Sequence, residues 1–222
     1  MIDIKNWLEQ YKNIITNEFG ERVLFIGIQG SYSRGEQTEH SDIDPVLILD
    51  RVSVDDLKIY RKVTADLPEN SLLCGFVSGK DEIYNWYKPD LFQLYFDTTP
   101  ILGDLKNIMP AINKDDARCA ALMGACNIYH LCSHNFLHTV SHEKLKKLYK
   151  SGFFVLQAKH YFETGIYIHT KKDMLASLTG KDKEIIKILN ESSFSKEDFE
   201  KQTAILLEWV KSLISIYGDC SK

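Results

Sequence analysis

The sequence has no long apolar run and no strong charge of either sign. No stretch of its 222 residues reaches the length of a membrane-spanning segment, and its polar start does not resemble a secretory signal. The formal net charge is −4, which argues against a dedicated nucleic-acid-binding protein. Hydrophobic residues make up 44% of the chain and charged residues 26%, as in ordinary globular proteins. We therefore expect a soluble protein with neither membrane nor nucleic acid as its partner.

Cysteine and proline are both scarce. The five cysteines are odd in number and lack Cys-x-x-Cys spacing, so the sequence predicts reduced thiols and a cytoplasmic location. Of the five prolines, Pro110 marks the point beyond which strand signals nearly vanish. The chain is long enough for two small domains. We accordingly predict domains at 1–110 and 111–222.

Apolar periodicity predicts different secondary structure in the two halves of the chain. In the first half it predicts strands and helices, with strands at 23–29, 45–50 and 71–77, an extended piece at 100–105, and helices at 3–18, 55–66 and 90–97. In the second half it predicts helices alone, at 114–138, 142–164, 171–178, 181–190 and 195–217. The predicted fold class is therefore α+β: a small mixed-sheet domain followed by an all-α up-and-down helical bundle.

The most informative segment is a short loop with the sequence Gly30-Ser31-Tyr32-Ser33-Arg34-Gly35. It follows an apolar run, 23–28, that is typical of a buried strand. A tight turn can begin at Gly30 and Ser31, where backbone N–H groups can face an anion. Asp42 and Asp44 come next, and their spacing on an extended strand places both carboxylates on one face.

Two carboxylates on one face repel each other unless a cation lies between them. Magnesium is the natural cation, because it takes oxygen ligands and shares them with substrate phosphates. The residues alone therefore predict a magnesium site at Asp42 and Asp44 and a phosphate-binding loop at Gly30 and Ser31. This combination is suited to phosphoryl or nucleotidyl transfer.

The ordered set of strand, Gly-Ser, short spacer and Asp-x-Asp resembles the signature of the nucleotidyltransferase superfamily that includes DNA polymerase β. The resemblance is closest to small bacterial members, the minimal and the aminoglycoside-type nucleotidyltransferases, and it covers residues 23–49. It implies that Gly30 and Ser31 contact the triphosphate of a nucleotide such as ATP and that Asp42 and Asp44 bind Mg²⁺. Arg34 matches a basic residue often found in that loop. The resemblance also implies a small nucleotidyltransferase domain followed by a helical bundle.

A third carboxylate, which this family commonly carries on a later strand, is not found in the predicted strand 71–77. The nearby acidic residues are Asp81, Glu82, Asp90 and Asp97. We expect Asp97 to end a helix, because Asp90 is typical of a helix N-cap. The third carboxylate is therefore unassigned, and a general base could instead come from the second half, for example Glu143 or Glu163.

The second half contains two further sets of candidate binding residues. Lys150 lies on a predicted helix among apolar residues, and the resemblance implies a lysine of the bundle that reaches the triphosphate. Cys126, His130, His134 and His138 recur every four residues and form one stripe on a helix. The stripe could hold zinc through a pair such as His130 and His134, or it could simply line the bundle or an acceptor pocket.

Three functions remain open from the sequence. The first is an enzyme that transfers a nucleoside monophosphate from a triphosphate, which we expect to be ATP, to a hydroxyl of an aminoglycoside-like molecule or of a protein. The second is a regulatory or toxin–antitoxin-type module. Its helical half is not expected to be a ribonuclease, because no histidine follows the last arginine, Arg118, at the spacing of four to six residues that the related toxins use. The third is a catalytically weakened nucleotide sensor.

Overall fold

The chain forms two compact units, Met1–Ala111 and Ile112–Lys222, in a computed structural model that describes residues 2–39, 41–190 and 198–218. The first unit combines a sheet with helices, and the regular elements described in the second are all helical. The predicted α+β class is confirmed. None of the described helices combines the length and the apolar character needed to cross a membrane.

A four-stranded mixed sheet forms the centre of the first unit. Its strands are β1 (Val23–Gln29), β2 (Asp44–Leu49), β3 (Phe76–Gly79) and β4 (Thr99–Leu102), in the order β3-β2-β1-β4. Strand β1 pairs antiparallel with both β2 and β4, and β2 pairs parallel with β3. The helices of this unit are α1 (Ile4–Phe19), α2 (Gly30–Arg34), α3 (Val54–Val63), α4 (Lys80–Asn85) and α5 (Phe92–Asp97).

Helix α1 covers one face of this sheet. Asp3 caps its first turn by accepting a hydrogen bond from the Asn6 backbone N–H at 3.2 Å. Its buried residues recur every four positions and form one stripe: Trp7, Tyr11, Ile15 and Phe19. Alternate residues of the strands, including Ile26 and Leu47, complete the same apolar core. The remaining side chains of each strand lie on the opposite face of the sheet.

The third strand departs from its predicted position. The prediction placed it at 71–77, whereas Asn70–Leu72 forms a 3₁₀ turn and β3 begins only at Phe76. Between them, Ile43 and Leu73 form a single parallel bridge. Pro45 explains the gap, because it has no N–H to donate between that bridge and the ladder that starts at Val46.

The second unit consists of α6 (Lys114–His134), a π-helical turn (Asn135–Thr139), α7 (His142–Thr164), α8 (Lys171–Ser177), α9 (Gly180–Asn190) and α10 (Phe199–Tyr217). Helix α6 packs against α7 and α10, and α7 packs against α9. Residues 195–197, where the last helix was predicted to begin, lie outside the described part of the chain.

Candidate active site

The ends of four strands meet at one edge of the sheet. Strand β1 ends there, and β2, β3 and β4 begin there, as their pairing directions require. Ile43 is fully buried in the core on the α1 side. Because side chains alternate along a strand, Asp44 is directed to the opposite face. Asp42 precedes the Ile43 bridge and lies outside β2, so its place on this face stays a prediction. Asp42 is exposed and Asp44 is partly buried.

Asp44 occupies a central position along this edge. On one side it pairs with Gln29 at the end of β1. On the other side, the pairs Ile43–Leu73 and Val46–Phe76 share one register, which places Cys74 beside Asp44. The carboxylate therefore lies between the loop of residues 30–35, called the motif loop below, which follows β1, and the start of β3.

The loop backbone approaches the Asp44 carboxylate closely at Gly30. Gly30 has φ of +73°, a conformation that side chains other than glycine rarely adopt. A Cβ atom built on Gly30 would collide with the Asp44 carboxylate. Glycine is thus required at this position both by the backbone and by the space. Ser31, the next residue, is partly exposed at the start of α2.

The remainder of the loop is anchored to the segment that joins α5 to β4. The Ser33 hydroxyl donates to the Asp97 carbonyl oxygen at 3.1 Å and lies 2.7 Å from the Thr99 hydroxyl. The Arg34 guanidinium forms an ion pair with the Asp97 carboxylate, and both side chains are only 3% exposed. Arg34 Nε also donates to Glu36 at 3.2 Å. These contacts fix the loop, while a contact between Arg34 and a nucleotide stays a prediction.

The acidic candidates for a third carboxylate lie in different surroundings. Asp97 ends α5, as predicted for a helix, and its charge is balanced by Arg34. Asp81 and Glu82 are exposed in the first turn of α4, and Asp90 accepts a hydrogen bond from the Trp86 indole at 2.7 Å. Across the residues described, no group of three or more His, Cys, Asp or Glu side chains is placed to hold a metal ion.

The candidates in the second unit lie on α7 and α6. Lys150 is exposed on α7, and Glu143, near the start of that helix, forms an ion pair with Lys147 at 2.8 Å. The ion pair raises the pKa of Lys147 and lowers that of Glu143. The predicted histidine stripe lies on α6 and the π-helical turn that follows it and is also exposed; the ring centroids of His134 and His138 lie 4.8 Å apart.

Sequence reasoning missed the anchor between Arg34 and Asp97 and the position of Cys74. The anchor depends on β4 pairing with β1, which brings Thr99 opposite Ile28. A sequence signal existed, since Asp97 immediately precedes a short β-branched segment at the far end of the unit. The position of Cys74 was missed because the predicted strand 71–77 includes it but does not define its register against β2.

Comparison with known proteins agrees with the resemblance seen in the sequence motif. The family model described as "Nucleotidyltransferase domain" matches residues 8–88. A protein of Methanocaldococcus jannaschii named "Putative protein adenylyltransferase" is 33% identical over 85 residues, which cover 38% of this chain and 83% of that relative.

A solved structure extends the likeness to most of the chain. The spectinomycin adenyltransferase AAD(9) from Enterococcus faecialis, crystallised with ATP and spectinomycin, superimposes with a TM-score of 0.58 at 14% identity. The match covers 93% of this chain and 99% of that one, and it shows a shared fold. The family model and the archaeal relative, 83% of whose length is covered by the match, establish that the chain belongs to the nucleotidyltransferase family and is a nucleotidyltransferase enzyme.

Proposed function

We propose that the chain transfers an adenylyl group from ATP, bound with magnesium, to a hydroxyl acceptor. The observation that carries this proposal is the close approach of the Gly30 backbone to the carboxylate of Asp44. Phosphates bound at Gly30 and Ser31 would thereby meet a cation bound by Asp42 and Asp44. The name of the archaeal relative supports adenylyl as the transferred group. Residues 1–110 are proposed as the catalytic domain and 111–222 as a helical domain.

The residues present suit magnesium. Asp44 at the start of β2 and Asp42 two residues before it would supply two carboxylates, and Mg²⁺ is usually held by one or two carboxylates, with waters and substrate phosphates as its other ligands. The absence of a side chain at Gly30 leaves the loop backbone directly against one of these carboxylates. When bound, magnesium would neutralise charge on the triphosphate.

The proposed reaction exchanges one phosphorus–oxygen bond for another. The acceptor hydroxyl oxygen forms a bond to the α-phosphorus of ATP as the bond from that phosphorus to pyrophosphate breaks. Gly30 and Ser31 orient the departing phosphates through the loop backbone. The hydroxyl proton passes to water. Lys150 is proposed to contact the nucleotide. Arg34 is proposed to take part in nucleotide binding through the loop that it anchors.

The proposed acceptor is an aminoglycoside-like small molecule. A hydroxyl of a protein side chain is the second acceptor class, and the name of the archaeal relative favours it. A nucleotide sensor without turnover is a second function. It is favoured by the two-carboxylate site, since no third metal-binding side chain accompanies Asp42 and Asp44 in the described residues.

Pyrophosphate release tests this proposal. We would supply each of the four ribonucleoside triphosphates with Mg²⁺ and a panel of aminoglycosides and lincosamides, and compare the wild type with Asp42→Asn. Asp66→Asn, which neutralises another exposed aspartate of the same unit, is the matched control. Acceptor-dependent release from ATP that is lost only in Asp42→Asn is expected. No release, despite ATP binding measured by calorimetry, would instead favour a protein acceptor or a sensor.

A further inference from the structure

We infer that the acceptor binds on the β3 side of Asp44, over a surface formed by Cys74, Phe76 and Trp86. We further infer that it is a small molecule with at least two linked rings, one of which stacks on the Trp86 indole. This inference rests on the proposed function, since it assigns the acceptor of the same site. The named surface is called the β3 platform below.

The β3 platform lies on the same face of the sheet as Asp44. Val77 packs in the core on the α1 side, as does Leu73. Alternation along the strand therefore directs Cys74 and Phe76 to the opposite face. The common register of β2 and β3 places these two residues beside Asp44 and Val46, respectively. Cys74 is exposed, so this part of the face is open.

Trp86 is held in a fixed orientation on this face. Its ring packs edge-on against Phe76, with centroids 6.0 Å apart and an interplanar angle of 69°. Its indole N–H donates to Asp90 Oδ2 at 2.7 Å. The side chain nevertheless remains 40% exposed, whereas Trp7 and Trp209 are each 1% exposed. A rigid indole with exposed surface and an occupied N–H group is suited to stacking with another ring.

The direction of the reaction places the acceptor on this side. The phosphates are proposed to bind at Gly30 and Ser31, which follow β1, so pyrophosphate leaves toward β1. The attacking oxygen and the leaving oxygen lie roughly in line at the phosphorus. The hydroxyl must therefore approach Asp44 from the side opposite to β1. In the strand order β3-β2-β1-β4, that side is β3.

The distance along the face sets the size of the acceptor. Phe76 lies one strand across and two residues along from Asp44, which corresponds to about 8 Å. The Trp86 ring centroid lies a further 6.0 Å from that of Phe76. A molecule that stacks on Trp86 and presents a hydroxyl near Asp44 must therefore span roughly 10–14 Å. Two or three linked rings have this length, whereas a single cyclitol or sugar ring does not.

Trp86 variants test the inference in the full-length protein. Trp86→Ala removes the stacking surface, Trp86→Phe retains a ring, and Tyr84→Ala removes a more exposed aromatic side chain from the same segment as the control. With MgATP and a panel of one-, two- and three-ring aminocyclitols and aminosugars, Trp86→Ala should raise the acceptor KM roughly 3- to 10-fold. Trp86→Phe should have a smaller effect, and the Kd for MgATP should not change in any variant.

Two binding readouts do not need turnover. Acceptor binding should protect Trp86 from acrylamide quenching and slow the alkylation of Cys74 by iodoacetamide, with the exposed Cys126 of α6 as the internal reference. Single-ring compounds should do neither. Protection by tyrosine-containing peptides alone, or by no multi-ring compound, would overturn the inference.

The two proposals fail in different ways. A higher Kd for MgATP in Trp86→Ala, with the acceptor KM unchanged, would place the nucleobase on Trp86 and overturn this inference while leaving the proposed function intact. Failure of the wild type to bind MgATP by calorimetry would contradict the proposed function itself. The quenching and alkylation data would still report whether a multi-ring compound occupies the β3 platform.

Discussion

Two glycines of the motif loop share a backbone conformation but differ in their surroundings. Gly30 and Gly35 have φ of +73° and +68°, so replacing either glycine with another residue would strain the backbone. A Cβ on Gly30 meets the Asp44 carboxylate, whereas a Cβ on Gly35 has no heavy atom within 4 Å. The space around Gly30 is therefore specific to the site, and the conformation of Gly35 concerns the loop alone.

Gly30→Ala should consequently abolish nucleotide binding, because the added methyl group displaces the carboxylate or the loop backbone. Gly35→Ala should lower the free energy of unfolding by about 1 kcal/mol through backbone strain and leave nucleotide binding largely intact. Calorimetric titration with MgATP, together with urea unfolding of both variants, checks this. Equal loss of binding in the two variants would contradict the assigned role of Gly30.

The buried pair of Arg34 and Asp97 gives a second prediction at this scale. Arg34→Met removes the cation that is paired with the buried Asp97 carboxylate, which should cost about 3–5 kcal/mol in the free energy of unfolding. Arg34→Met combined with Asp97→Leu should recover much of that loss, as urea unfolding of the two variants can show. If Arg34 acts only as an anchor, the double variant should also recover MgATP binding. Recovery of stability without recovery of binding would show that Arg34 contacts the nucleotide.

At the scale of the element, the strength of each sequence signal decided what could be predicted. Strand β1 and helix α7 were predicted because each carries a long, regular apolar pattern. The third strand was placed wrongly because Leu72 and Leu73 are apolar but belong to a turn and an isolated bridge. Helix α2 was expected as a loop, since its five residues, which begin with Gly30 and are followed by Gly35, show no periodicity.

Helix α3 begins with a charged cap that makes its stability depend on pH. Ser53 and Asp56 form a reciprocal capping box, and Arg22 Nη1 donates to Asp56 at 2.7 Å. The bond from Arg22, with those from Ser53, holds the pKa of the Asp56 carboxyl well below its usual range. A carboxyl with a depressed pKa in the folded state stabilises the fold above its unfolded pKa of about 3.9 and loses this effect as pH falls further.

Asp56→Asn should therefore lower the free energy of unfolding by about 1–2 kcal/mol at pH 7. The difference from the wild type should shrink as pH falls below about 4. Asp55→Asn, in the same turn but with a side chain 82% exposed, should change stability far less. Urea unfolding from pH 3 to pH 7 measures this. A difference that does not vary with pH would show that the charge of Asp56 is not the cause.

At the scale of the whole molecule, sequence and structure agree on class and diverge on the assembly of the site. The motif predicted Asp42 and Asp44 on one strand from local alternation, whereas β2 begins at Asp44 and leaves Asp42 just before it. The neighbours of Asp44 on either side, Gly30 and Cys74, depend on how three strands pair. Such pairing is non-local, so the pattern of one strand does not reveal its register against another. The family assignment rests on residues 8–88 and on the archaeal relative, and neither identifies the acceptor.

The central claim is that Asp42 and Asp44 bind a magnesium-bound nucleotide together with the Gly30 loop. The most direct test is calorimetric titration of ATP, with and without Mg²⁺, into the wild type, Asp44→Asn and the surface control Asp66→Asn. We predict Mg²⁺-dependent ATP binding in the wild type and in Asp66→Asn, and its loss in Asp44→Asn. Binding that persists without Mg²⁺, or that is unchanged in Asp44→Asn, would contradict the claim.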